Sequence, residues 1–199
     1  MFTQDRPAIP ARATVEDLYA MPEDGKAELV NGEMVLMPAT GARPGRAALI
    51  IVMSLIAHEA ERGGGFAFGD SVGFLVNLPE RESFSPDAAW YVGPADVTEA
   101  MEFLPNAPAL AVEVRSKNDY GPAAERAIAD KIRDYFAAGT QVVWDVDTLG
   151  TDVIKVYRAP LADAPQVVYR RGNIAEAEPA VPRWRMPVDA LFRLPTLGH

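Results

Sequence analysis

The sequence predicts an α/β chain in which short strands alternate with two long helices, opened by an N-terminal β-hairpin. Three observations carry this. Residues 27–30 and 33–37 are short apolar-rich runs flanking Asn31-Gly32, the dipeptide that a type I′ turn requires. Leu110-Ala-Val-Glu-Val-Arg115 alternates with period two, so Leu110, Val112 and Val114 share one face and Ala111, Glu113 and Arg115 the other. Residues 46–62 and 122–138 follow helical periodicity and are stopped by Gly63-Gly64-Gly65 and by Gly139.

Taken in order, residues 1–13 contain Pro7 and Pro10 and read as an extended lead-in. Thr14 caps a short helix, with Asp17 three residues on as its capping-box partner, and residues 21–25 end that helix. In the hairpin a two-residue loop sets Val30 opposite Glu33 and Glu28 opposite Val35, so these four side chains share a face. Residues 38–45 are expected as a loop carrying Arg43, followed by the helix 46–62, apolar nearly all round and so covered on more than one side. Strands are expected over 66–68, 71–78 and 84–92, with a charged turn at 79–83. Asp87 stands out at the start of an otherwise apolar strand, where aspartate is depleted. Pro122 opens the second long helix, which gathers Ala124, Ile128, Ile132, Tyr135 and Phe136 on one stripe with Lys131 at its edge. Strands at 141–146, 152–158 and 166–170 follow, and 186–194 reads as a closing helix. The chain is expected to be one domain over 1–199, with 171–199 an extension packing on its core.

Composition narrows the chemistry. With no cysteine there is neither a disulfide nor a thiolate metal site, and two histidines leave little room for a histidine-based zinc site or a catalytic triad. Metal binding would fall to carboxylates, which suit Mg²⁺ or Mn²⁺. The net charge of −9 argues against a nonspecific polyanion binder. It is uneven: residues 155–199 hold seven Lys or Arg against four Asp or Glu, a balance of +3 that leaves −12 on residues 1–154. The N-terminal residues lack the apolar core of a secretory signal, and the run 47–53 is too short to span a bilayer, so a cytoplasmic protein is expected.

An ionised Glu113 in a buried strand needs a partner, because burying an unpaired charge costs several kcal/mol, very roughly. Glu28 on the hairpin, Asp87 at a strand start, and Lys131 or Arg115 supply two or three carboxylates and a cation, the set that metal-assisted phosphodiester hydrolysis uses. Spacing alone is equally compatible with a solvated acidic surface and a lysine lying along a helix flank.

The series Glu28-Leu-Val-Asn-Gly-Glu33, Ser85-Pro86-Asp87, Val112-Glu113-Val114-Arg115-Ser116, Lys131 with Tyr135-Phe-Ala-Ala-Gly139, and Val143-Trp144-Asp145-Val146-Asp147 resembles the Uma-two family of restriction endonucleases, within the PD-(D/E)XK nuclease superfamily. The resemblance runs over roughly residues 14–195. It implies a restriction-endonuclease-like fold, a mixed β-sheet flanked by helices, and a Mg²⁺-dependent DNA endonuclease. Asp87 and Glu113 resemble the two metal-holding carboxylates and Glu28 the additional N-terminal acidic residue. Arg115 stands where the superfamily motif has lysine, and Lys131 from the next helix resembles the replacement. Arg115, Arg43 and Arg46 are then expected to contact phosphates. The alternative is an inactive nuclease-fold module that binds nucleic acid, or a homodimeric scaffold built through helix 46–62.

Overall fold

The computed structural model describes residues 12–21 and 25–192. The lead-in up to residue 11, the stop expected at 22–24 and the chain end from 193 lie outside the described residues.

The first helix, α1 (Val15–Tyr19), begins as its cap predicts: Asp17 accepts hydrogen bonds from the Thr14 backbone N–H at 2.7 Å and from its hydroxyl at 3.0 Å. The hairpin β1 (Lys26–Val30) and β2 (Glu33–Met37) pairs in the expected register, Glu28 opposite Val35 and Val30 opposite Glu33. Asn31 and Gly32 both take positive φ, as a type I′ turn demands.

The helix α2 (Ala42–Arg62) starts four residues before the expected boundary. Pro44 is tolerated there because N–H groups in a first helical turn have no intrahelical partner. Its buried side chains are Ala47, Ala48, Ile51, Leu55 and His58, whereas Leu49, Met53 and Ile56 remain about half exposed or more. The chain itself therefore covers one side of this helix.

Next come β3 (Phe66–Gly69) and β4 (Phe74–Leu78), then the largest departure from the sequence reading. Residues 79–83 are not simply a turn: β5 (Arg81–Phe84) pairs antiparallel with β4 and, through Arg81 opposite Val30, with β1. Arg81 and Ser83 are both buried. The Ser83 hydroxyl accepts the Leu29 N–H at 2.8 Å, a bond that sequence periodicity does not register. The expected strand 84–92 is correspondingly divided. Phe84 ends β5, Ser85-Pro86-Asp87 forms a link, and β6 (Ala88–Tyr91) begins in a different sheet.

A 3₁₀ helix (Ala95–Glu99) and β7 (Leu104–Pro105) lead to β8 (Leu110–Val114), α3 (Pro122–Ala137) and β9 (Val142–Val146). β8 and β9 run parallel, with α3 as their crossover. β10 (Ile154–Arg158), β11 (Val167–Tyr169), β12 (Ile174–Ala177) and β13 (Val181–Pro187) follow. The closing helix expected at 186–194 is instead the end of β13 and a 3₁₀ helix (Val188–Phe192), with Leu191 buried as anticipated. Met186 is drawn into the strand because β12 pairs with it through Ala175.

The architecture is mixed α/β. A six-stranded sheet runs β11-β10-β9-β8-β6-β3, a five-stranded sheet β2-β1-β5-β4-β7, and β12-β13 form a separate hairpin. Both larger sheets contain one parallel pair among antiparallel ones. The alternation of β8 explains the layering: Leu110, Val112 and Val114 join a core with Ile51 and Leu55 of α2 and with Trp184 of β13. Ala111, on the other face, joins Ile132 and Tyr135 of α3 and Phe74 and Phe84 of the second sheet. Covered on both sides, β9 is buried at all five positions.

Trp144, fully buried and stacked on Trp184 at 5.0 Å between ring centroids, ties the central sheet to the C-terminal hairpin. Trp144→Ala is expected to destabilise the fold by about 3–5 kcal/mol in urea unfolding. A loss below about 1 kcal/mol would mean the site collapses freely and the stack contributes little.

Candidate active site

The site forms where the two large sheets meet. Ser85-Pro86-Asp87 carries the chain from β5 to β6, so Glu28 of the five-stranded sheet, Asp87 of the link and Glu113 of the six-stranded sheet line one place. α3 lies across this junction and contributes Lys131. The four residues singled out from the sequence (Glu28, Asp87, Glu113 and Lys131) line one cleft of about 700 Å³.

Lys131 is the bridge. Its Nζ lies 2.9 Å from Glu28 Oε1 and 2.9 Å from Glu113 Oε1. Burial pulls the ammonium pKa down, but these two carboxylates more than reverse that, so Lys131 is held protonated. The same lysine has opposite outcomes on its partners. Burial pushes Glu28 up, yet Lys131 and Arg81 outweigh it, and Glu28 lies below the usual carboxylate range. Burial pushes Glu113 up too, and there Lys131 is opposed by the charges of Asp87 and Glu28, leaving Glu113 raised to about 6.

Asp87 is raised by burial, against the opposing influence of the Val114 N–H, which donates to its Oδ2 at 2.7 Å. Lys26 Nζ stands 3.7 Å from Asp87 Oδ1 and is ion-paired with Asp70.

Arg81 and Tyr135 are the functional-site residues that the sequence reading did not single out. Arg81 Nη1 donates to Glu28 Oε2 and its Nε to Asp134 Oδ2, each at 2.8 Å, so it ties the hairpin sheet to α3 one turn beyond Lys131. Its guanidinium lies over the Phe84 ring, which stacks on Tyr135 at 4.0 Å. The Tyr135 hydroxyl donates to Glu113 Oε1 at 2.6 Å. Tyr135 was legible as part of the buried stripe; nothing in that stripe signals its hydroxyl bond. Arg81 sat in what reads as a charged turn.

The three arginines expected at phosphates have different surroundings. Arg115 is buried, with two nitrogens on Asp145 at 2.7 Å and two on Glu125, one at 2.9 Å. Its side chain turns to a structural ion-pair network, because the period-two alternation that points it away from α2 also points it at buried Asp145. Arg43 and Arg46 are exposed on the first turns of α2, Arg43 over the Phe192 ring at 6.0 Å, and neither lines the cleft.

Among the described residues no three His, Asp or Glu side chains are grouped so as to hold a metal ion. Two carboxylates do face one cleft, however, and each has an oxygen clear of the strong contacts just described. Lys131 and Tyr135 take Glu113 Oε1, leaving Oε2, and the Val114 N–H takes Asp87 Oδ2. A hard ion that keeps several waters needs only one or two carboxylates plus substrate oxygens, so this pair fits Mg²⁺ better than a metal requiring a full protein cage. Glu28 is unsuited to ligation, since Lys131, Ser85 N–H and Arg81 occupy both of its oxygens.

A sequence profile of the Uma2 family, described as "Putative restriction endonuclease", matches residues 15–189. The chain belongs to the Uma2 family. The fold of this Uma2 chain is also similar to the crystal structure of a "putative nuclease belonging to DUF820" from Anabaena variabilis, with a TM-score of 0.70 at 17% identity over 92% of this chain and 98% of that one. No curated protein sequence matches it. Among the described residues no helix is long and apolar enough to cross a membrane.

The raised Glu113 pKa makes a stability prediction. Between the ordinary pKa of 4.5 and about 6 the folded chain holds this proton more tightly than the unfolded chain, so the group's contribution falls as pH rises through that window and stays low above it. The melting temperature of Glu113→Gln relative to the parent, measured in EDTA, should therefore rise between about pH 4.5 and 6 and level off above, on top of a pH-independent cost of loosening Lys131. A gap independent of pH would show that Glu113 carries no such penalty.

Proposed function

We propose that this chain is a Mg²⁺- or Mn²⁺-dependent endonuclease hydrolysing phosphodiester bonds in DNA. The observation that carries the reading is the buried Lys131 ammonium shared by Glu28 and Glu113 beside Asp87, at a cleft open to a strand of substrate. Asp87 and Glu113 would hold the ion, whose chemistry is to acidify an attacking water and to neutralise phosphate charge. Lys131, kept protonated, serves as a fixed positive charge and donor toward a phosphate oxygen rather than as a base. Glu28 orients Lys131, and Arg81 and Tyr135 hold the two carboxylates that grip it. Arg115 reaches a phosphate only if half-exposed Glu125 releases it, whereas Arg43 and Arg46 are free to touch flanking backbone from α2.

A second reading, an inactive nuclease-fold module that binds nucleic acid or assembles with itself, draws support from Arg115 at the motif's lysine position and its commitment to Asp145. Plasmid nicking separates the two. Asp87→Ala and Glu113→Ala are each expected to abolish Mg²⁺-dependent nicking, and Lys131→Met to lower it by about 10²–10³-fold. Undiminished nicking in both carboxylate variants would remove the assignment. Calorimetry showing no millimolar Mg²⁺ or Mn²⁺ binding by the parent would favour the module.

The exposed Met53 and Ile56 of α2 support the pairing of two copies through this helix. Sedimentation equilibrium should show a dimer, reduced to monomer by Met53→Glu; a monomeric parent would exclude it.

A further inference from the structure

The cleft's charge and shape bear on which form of nucleic acid it takes. Lys26, Arg81, Arg115 and Lys131 are the basic side chains on its lining, and each is engaged by two carboxylates. Lys26 faces Asp70 and Asp87, Arg81 faces Glu28 and Asp134, Arg115 faces Asp145 and Glu125, and Lys131 faces Glu28 and Glu113. Gripping a duplex relies on Lys and Arg free to displace counterions from several phosphates on both strands. These four are already neutralised, and the described arginines Arg43 and Arg46 stand outside the cleft.

What the cleft offers instead is apolar surface. The hairpin side presents Val30, Val35, Met37 and Pro38, and α3 presents Ala127 and Ile128. Beside Asp87 a second cavity of about 250 Å³ opens between α2 and β3, walled by Pro44, Ala48, Val52 and Gly69. It shares Thr40, Asp70 and Asp87 with the main cleft, so the two spaces adjoin at the candidate catalytic aspartate. At ~30 Å³ per water it has room for roughly eight waters, enough for a flat ring, and its Pro44, Ala48 and Val52 walls with Asp70 and Asp87 at the rim disfavour a phosphate.

We propose that the cleft selects a strand with an unpaired nucleotide, whose base enters the apolar cavity beside Asp87 while its phosphate faces Glu113 and Lys131. This deepens the endonuclease reading and rests on it. A base must leave its stack to reach such a cavity, and the energy needed is smallest where it is already unpaired. Apolar contact with bases is sequence-tolerant and, unlike phosphate contact by free Lys or Arg, releases no counterions, which suits a cleft without free cations.

The test is fluorescence anisotropy in Mg²⁺ with nuclease-resistant phosphorothioate oligonucleotides of one sequence, as single strand, bulged duplex and blunt duplex. The first two are expected to bind at least about tenfold more tightly than the third, because their unpairing is already done. Log affinity for the single strand should fall with log salt at a slope shallower than about −2. A single-strand scan with one abasic nucleotide at successive positions should find one position where affinity drops about tenfold, and Ala48→Met, which fills the cavity, should erase that dip. Equal affinity for blunt duplex and single strand, a steep salt slope, or a flat abasic scan would each overturn the proposal. The scan uses the parent protein, so the proposal stays testable even if Ala48→Met fails to fold. The two readings fail separately. Unpaired selectivity without cleavage of any natural oligonucleotide would remove the endonuclease and leave this inference, whereas cleavage of blunt duplex without selectivity would do the reverse.

Discussion

Lys131 is the interaction on which the site depends. A protonated lysine buried between two carboxylates draws a strand of each large sheet toward one helix: Glu28 from β1, Glu113 from β8, and the ammonium from α3. Removing one partner from such a buried set leaves an uncompensated charge, typically several kcal/mol of cost. The three elements therefore hold one another in place, and the cleft is the gap left beside their meeting point.

Arg81 explains why one lysine serves two carboxylates unequally. It gives Glu28 a second cation, and the Ser85 N–H adds a donor, so Glu28 is fully compensated and works as an anchor. Glu113 has only its share of Lys131 and one tyrosine hydroxyl, against the charges of Asp87 and Glu28. It is left under-compensated and facing the cleft. A carboxylate in that condition gains from additional positive charge, which is the physical ground for the proposal that Glu113 and Asp87 hold a divalent ion. The stability that Glu113 withholds above about pH 6 is the kind of local conflict that functional sites retain.

Much of this was legible in the sequence because it follows from local periodicity. The register of the hairpin follows from Asn31-Gly32, the burial of Leu110, Val112 and Val114 from strict alternation, and the edge position of Lys131 from the helical wheel of α3. What escaped were features whose stabilisation comes from distant residues. β5 contains Arg81, Glu82 and Ser83, poor strand formers, and is held by Leu29, Glu28 and Asp134 from elsewhere in the chain. With β5 missed, the change of sheet at Ser85-Pro86-Asp87 was also missed, and one strand was read where two exist. The motif's lysine position alone suggests a phosphate contact for Arg115, and only the neighbouring Asp145 on β9 shows where its guanidinium is spent.

By itself the sequence determined the hairpin, the two long helices and the opposite faces of β8, since these depend on turn chemistry and on spacing of two or 3.6 residues, whereas Glu28, Asp87, Glu113 and Lys131 stood together as a set only through the family resemblance. Only the tertiary structure decided which charges neutralise which. Pairing is a matter of a few ångströms between residues dozens of positions apart, and no periodicity encodes it. That is why Glu28 became an anchor, Glu113 an under-compensated carboxylate and Arg115 a structural tie, although all three look alike as charged residues in strands.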